Sequence, residues 1–159
     1  MKGLSYLHKF PVYHRDLKLG NILLKNDPTR PGKPIVKISD FGLSKHVEGD
    51  FTQTFAGTPV FMAPQIFQSL PYNHKCDLYS LGVMLYYIKT HQYPFGCSAS
   101  TFFKNMADTK YPKYDSVFDD VPTLKELIQG LIVQSEEKRY DWKEIMENEY
   151  VQLALANNE

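Results

Sequence analysis

The residues able to do chemistry gather early in the chain. Asp16, Lys18 and Asn21 lie within Tyr13-His14-Arg15-Asp16-Leu17-Lys18-Leu19-Gly20-Asn21, and Asp40-Phe41-Gly42 follows. Asp16 can accept a proton from an incoming hydroxyl, and Lys18 can neutralise charge on a transferring phosphoryl group. Asn21 and Asp40 offer hard oxygen ligands of the kind Mg²⁺ prefers. Phosphoryl transfer asks little more of a protein, because alignment and charge neutralisation supply most of the rate. A polar turn between a helix and a hairpin would use similar residues with no chemistry at all.

Positioning such a set falls to the elements around it. Met1 to Lys9 reads as the last turns of a helix, with Leu4 and Leu7 on one face, too short to stand unsupported. Pro11 and Val12 end it and lead into the polar stretch. Asn21-Ile22-Leu23-Leu24-Lys25 reads as a short apolar strand. Residues 26–34 hold three prolines and a glycine and read as a loop. Ile35 to Ser39 reads as a second strand pairing back on the first. That hairpin would carry Asp40 close to Asn21, 19 residues away, so that the two can share a cation.

Downstream, Leu43 to Met62 has little apolar periodicity and reads as a mobile loop. A strongly hydrophobic helix is expected to open at Asp77 and run to about Lys89. Tyr93-Pro94-Phe95-Gly96 reads as a turn, and Ser98 to Asp108, Pro122 to Val133 and Trp142 to Glu147 as three further helices. Gly3, His46, His74 and His91 have no constellation around them and are assigned no chemistry.

A chain of 159 residues is the size of one domain. Eighteen basic residues balance eighteen acidic ones, so the net charge suggests neither nucleic acid nor a membrane as partner. Two cysteines, Cys76 and Cys97, are too few for a disulfide framework and fit a reducing compartment, so the expected location is the cytoplasm. The longest mainly apolar run, Leu78 to Ile88, is too short to span a bilayer.

The two motifs resemble the catalytic loop H-R-D-L-x-x-x-N and the metal-binding D-F-G of the eukaryotic protein kinases. Six fixed letters from His14 to Asn21 would recur by chance at on the order of 10⁻⁸ per start position, with residues treated as equiprobable. The resemblance implies ATP and Mg²⁺ as cofactors, protein Ser/Thr hydroxyls as substrates, and Asp16 with Lys18 as the catalytic pair. It makes Asn21 and Asp40 the metal ligands, and puts Lys18 with them on the nucleotide phosphates. His14 and Phe41 become structural. It offers Leu23 as the floor under the adenine ring, with plain core packing an equal alternative.

Phe55-Ala56-Gly57-Thr58-Pro59-Val60-Phe61-Met62-Ala63-Pro64 is similar to the segment where Ser/Thr kinases seat substrate. The family's threonine there, Thr58, bonds the catalytic aspartate and lysine. Lys18 also favours Ser/Thr over Tyr kinases. Asp77-Leu78-Tyr79-Ser80-Leu81-Gly82 resembles D-x-W-S-x-G, with Tyr79 in place of Trp. In the family that aspartate receives backbone N–H groups of the catalytic loop, although an N-cap also favours Asp. Arg15 implies a basic pocket neutralised by a phosphate on the loop. Thr54 is the first candidate and Thr52 the second, against a loop that is never modified.

The family's A-P-E is Ala63-Pro64-Gln65 here. Its glutamate pairs with a buried arginine matched by Arg139, so Gln65 would bond Arg139 without charge assistance. Glu136, Glu137 and Asp141 are candidates to compensate. The ending Arg139-Tyr140-Asp141-Trp142-Lys143-Glu144 loosely resembles the unc-51-like, autophagy-initiating kinases.

The expected fold is mainly α, of the α+β family. It is the helical large lobe of a kinase with one small β-hairpin and without the N-lobe. The whole of 1–159 would form a single partial kinase domain, with catalytic loop 12–21, metal motif and activation loop 40–65, and helical subdomain 77–150. These residues hold no Gly-rich loop, no third-strand Lys and no partner Glu to cover ATP. Three readings follow: a Ser/Thr kinase piece inactive or weakly active alone, a non-catalytic decoy or scaffold, or a lobe completed in trans by an N-lobe or regulatory protein.

Overall fold

A computed structural model describes residues 1–46, 58–108 and 112–157. Seven helices appear among them. They are α1 (Lys2–Lys9), α2 (Pro64–Phe67), α3 (Lys75–Thr90), α4 (Ala99–Ala107), α5 (Pro122–Leu131), α6 (Trp142–Glu147) and α7 (Glu149–Ala156). Strands are short: β1 (Val12–Tyr13), β2 (Ile22–Lys25), β3 (Ile35–Ile38) and β4 (Lys45–His46). The architecture is helical with two small antiparallel ribbons, β1 with β4 and β2 with β3.

Helix α3 is the centre. Burial reaches all round it, from Cys76, Asp77 and Leu78 through Tyr79, Ser80, Gly82, Val83 and Met84 to Tyr86. A helix apolar on every side must be enclosed by its neighbours. Helix α5 covers one side with Leu124, Leu127, Ile128 and Leu131, all buried. Each such side chain contributes roughly 1.5–3 kcal/mol relative to exposure. Two glycines set the spacing. A Cβ at Gly82 would sit 2.7 Å from Leu131 Cβ, and one at Gly130 would meet the Tyr140 ring at 2.3 Å. A side chain at Gly82 would push α3 and α5 apart, and one at Gly130 would displace the Tyr140 ring.

The ends of α3 differ from the sequence reading. The helix opens at Lys75 rather than Asp77, with His74 as N-cap, and Asp77 falls inside the first turn. It closes on His91 in the left-handed conformation (φ 56°), whose N–H donates to Tyr87 O at 2.7 Å. Helix α4 is bounded by Ser98 and Asp108 as expected, with the Ser98 hydroxyl accepting from Thr101 N. Helix α5 stops at Leu131, two residues before the expected end.

A capping box built by Asp141 and Glu144 starts α6. Helix α7 is additional to the sequence reading, and Asn148 is its N-cap, accepting from Tyr150 N. The hairpin has the expected register, Ile22 opposite Ile38 and Lys25 opposite Ile35. Among the described residues no helix is long and apolar enough to cross a membrane.

Candidate active site

Between β1 and a 3-10 turn at Leu19–Asn21, the chain crosses the start of α3. There the fully buried Asp77 carboxylate accepts His14 N–H and Arg15 N–H, each at 2.8 Å. A third contact comes from His8 Nε2 on α1, 3.0 Å from Asp77 Oδ2. A buried carboxylate needs such donors, because desolvation without them costs several kcal/mol. Asp77 is therefore an anchor for the loop rather than a helix cap. Arg15 takes a left-handed backbone (φ 66°), which costs about 1–3 kcal/mol for a residue with a side chain. The two bonds to Asp77 hold that bend in place.

The bend presents Asp16, only 7% exposed. Lys18 Nζ lies 2.7 Å from Asp16 Oδ2. Thr58 donates its hydroxyl to Asp16 Oδ1 at 2.7 Å and accepts from Lys18 Nζ at 2.9 Å. Asn21 Nδ2 donates to Asp16 O at 2.8 Å and to Asp16 Oδ2 at 3.2 Å. Burial pushes the Asp16 carboxyl up, but the bonds from Lys18 and Thr58, the Lys18 charge and the Asn21 bond outweigh it. The carboxyl stays below its ordinary value and is ionised at neutral pH.

Asp40 follows the end of β3. Ser39 N donates to Asn21 O at 2.9 Å, so the hairpin brings the backbones of 21 and 39 together. His14 Nε2 reinforces the join on Ser39 O at 2.9 Å. Asp40 is left-handed (φ 61°), a conformation Asp tolerates better than most residues, and its exposed carboxylate accepts Gly42 N–H. The Phe41 ring lies edge-on to His14, with centroids 5.2 Å apart. Because the Asn21 amide nitrogen is committed to Asp16, its amide oxygen is the atom left for a cation. Among the described residues no group of three His, Cys, Asp or Glu side chains is placed to hold a metal ion, so the hard donors here are an amide and a carboxylate. Such a set fits Mg²⁺, which takes one or two protein ligands and fills its sphere from phosphates and water.

Leu23 is 53% exposed and is not core; its neighbours Leu24 and Val36 are exposed as well. Arg15 Nε donates to Leu43 O at 2.6 Å, and its buried Nη1 has no hydrogen-bond partner among the described residues. Thr52 and Thr54 lie outside the described residues.

Farther off, Arg139 is 2% exposed and donates through Nη2 to Gln65 Oε1 at 3.0 Å. Its other donors reach the carbonyls of Lys75 and Val133, and its guanidinium lies 5.0 Å from the Tyr79 ring centroid. Burial lowers the Arg139 pKa, while the Tyr79, Glu136 and Cys76 groups oppose that drop. Gln65 Nε2 meanwhile donates to Gln134 O. An amide can do both jobs at once; the family's carboxylate cannot. Of the candidate compensators, Asp141 is occupied by His74 and the α6 cap, and Glu136 accepts Asn73 N–H.

His74, around which the sequence showed no constellation, has one in the structure. Its Nε2 lies 2.8 Å from Asp141 Oδ1, and its ring is 5.1 Å from that of His8. Spacing could not have signalled this, since the partners are 67 residues apart.

A helical lobe organised on α3, with an aspartate, lysine and threonine interlocked beside an amide and a carboxylate, defines the large lobe of a protein kinase. The chain belongs to the protein kinase domain family, whose model matches residues 1–151. Among its relatives is a putative serine/threonine-protein kinase A of Trypanosoma brucei brucei. That protein is 35% identical over 159 residues, covering 96% of this chain and 35% of the relative. The serine/threonine-protein kinase Nek6 of Oryza sativa subsp. japonica is 32% identical, covering 98% of this chain and 28% of the relative. The serine/threonine-protein kinase atg1 of Dictyostelium discoideum is 32% identical, covering 99% and 23%. The chain thus spans about a quarter to a third of the length of these three relatives.

Proposed function

We propose that these residues form the substrate-side half of a Ser/Thr protein kinase site, which transfers the γ-phosphoryl group of ATP to a protein hydroxyl. The observation that carries the reading is the Thr58 hydroxyl held between Asp16 Oδ1 and Lys18 Nζ. A structural turn has no need to interlock a buried aspartate, a lysine and a threonine 42 residues away. With its pKa held down, Asp16 is a weak base. It orients the hydroxyl by accepting its hydrogen bond and takes the proton as the new P–O bond forms. Lys18, beside it, faces the charge that develops on the phosphoryl oxygens. Asn21 and Asp40 would hold Mg²⁺, which when bound neutralises charge on the nucleotide phosphates. The exposed face of Leu23 suits an adenine ring better than core packing does.

Arg15 supports a regulatory reading of the same site. Its buried Nη1 has no acceptor among the described residues, and a phosphorylated Thr54, or Thr52 as second choice, would bring three acceptor oxygens and about −1.5 to −2 charges.

The test is phosphoryl transfer to a basic protein with ATP and Mg²⁺. Residues 1–159 alone should transfer little, because the Gly-rich loop and lysine that cover ATP phosphates are not among them. Joined to the upstream lobe of a relative, the chain should transfer robustly, and Asp16→Asn should then lower the rate by roughly 10²–10⁴-fold. A joined, folded and phosphorylated chain that transfers nothing overturns the proposal.

A further inference from the structure

A closed circuit of side chains joins α1, α3 and α6 behind the loop that carries Asp16. His8 on α1 is 3% exposed, and both its ring nitrogens are engaged. Nε2 faces Asp77 Oδ2 at 3.0 Å, while Nδ1 lies 3.1 Å from Trp142 Nε1 on α6. An indole N–H can only donate, so Nδ1 must be the acceptor and the His8 proton must sit on Nε2, pointed at Asp77. Trp142 is itself held in place. Asp141 Oδ1 accepts Trp142 N–H at 2.7 Å and also meets His74 Nε2 at 2.8 Å, and Lys75 Nζ lies 3.9 Å from Asp141 Oδ2. The rings of His74, Tyr13 and Trp142 surround His8, with centroids 5.1, 6.4 and 5.5 Å away.

We infer that Trp142 is a positioning residue for the catalytic loop: its indole N–H holds His8 in the tautomer that turns Nε2–H to Asp77, and so keeps Asp77 Oδ2 placed for His14 N–H. Asp77 Oδ2 is shared between His8 Nε2 and His14 N, whereas Arg15 N uses Oδ1. In the other tautomer a bare Nε2 would face Asp77 Oδ2, and lone-pair repulsion would move that oxygen, loosening the His14 bond first. The Trp142 donor excludes that tautomer, because two N–H groups cannot face each other at hydrogen-bond distance. Packing alone would be served equally well by a phenylalanine. The consequence for phosphoryl transfer rests on the kinase reading above; the coupling of Trp142 to the loop does not.

The test is NMR on the ¹⁵N-labelled chain, wild type against Trp142→Phe. Wild-type His8 should show a bare Nδ1 and a protonated Nε2, a measurement that needs no variant. In Trp142→Phe the Nδ1 resonance should leave the bare-nitrogen position. Amide exchange at His14 should rise about fivefold, the equivalent of one net hydrogen bond, with Arg15 changing less. A wild-type His8 protonated on Nδ1 overturns the inference. So does a variant with His8 unchanged, or one in which the His14 and Arg15 amides accelerate equally, as general loosening would produce. A chain showing the expected spectra but transferring no phosphate when joined to an upstream lobe removes the kinase reading and leaves this coupling standing.

Discussion

Thr58 and Asp16 meet through a 2.7 Å hydrogen bond that ties the start of the Pro59–Phe61 turn to the loop carrying Asp16, and Lys18 braces it from the other side. The hydroxyl gives one bond and accepts another, so only Ser can replace it with both retained. Thr58→Val should lower kcat roughly 10²-fold in a lobe-completed kinase, the usual cost of a misplaced catalytic group. Thr58→Ser should retain most of the activity. Steady-state kinetics of the two variants checks this, and equal loss in both would count against the hydroxyl.

Asp16 also sets a pH expectation. Its folded pKa is depressed, so its ionised form contributes stability that is present above the unfolded carboxylate value. That stability is lost as pH falls through the lower folded value. Lys18→Met removes a hydrogen bond and a charge that hold the pKa down and leaves burial, which pushes it up. The Asp16 carboxyl should therefore titrate at higher pH in the variant, and acid unfolding should begin at higher pH. Carboxyl ¹³C titration and chemical denaturation across pH 2–6, roughly the ordinary carboxylate range and its acid side, measure both.

Gln65 serves two partners, Arg139 and the Gln134 carbonyl. Gln65→Leu should cost about 3 kcal/mol, because it leaves one donor of a buried guanidinium and a carbonyl short of partners. Gln65→Glu should stabilise by about 1 kcal/mol near neutral pH. The charge-assisted bond to Arg139 there exceeds the lost amide bond to Gln134 O, which Arg139 Nη2 already approaches at 3.5 Å while donating to Val133 O at 2.8 Å. Urea denaturation at pH 7 gives the sign of each.

Tyr79, where the motif this stretch resembles has Trp, carries a cost of its own. Its hydroxyl is buried without a hydrogen-bond partner among the described residues, and burial drives its pKa well up. Tyr79→Phe deletes that group and keeps the ring against Arg139. The variant should be more stable by about 1 kcal/mol, seen as a higher denaturation midpoint. A loss of stability would mean that an ordered water satisfies the hydroxyl.

What the sequence determined by itself was local. Asp16, Lys18 and Asn21 lie within one turn-rich stretch, and the hairpin that returns Asp40 to Asn21 is marked by prolines and β-branched residues, so short-range rules suffice for the site and for most helices. Even there the reach of the pattern was limited: His74 and Lys75 start α3 ahead of the Asp77 that looked like its cap, and α7 hid behind the Asn148 break. Long-range contacts were legible only where the resemblance supplied them, as for Thr58 with Asp16, Asp77 with the loop and Arg139 with Gln65. Tertiary structure alone decided that Gln65 also feeds Gln134, that the Tyr79 hydroxyl has no partner among the described residues, and that His8 stands between Asp77 and Trp142. The physical reason is that helical periodicity and turn chemistry act over a few residues, whereas the indole of Trp142 meets a ring 134 positions earlier only because α1, α3 and α6 pack together.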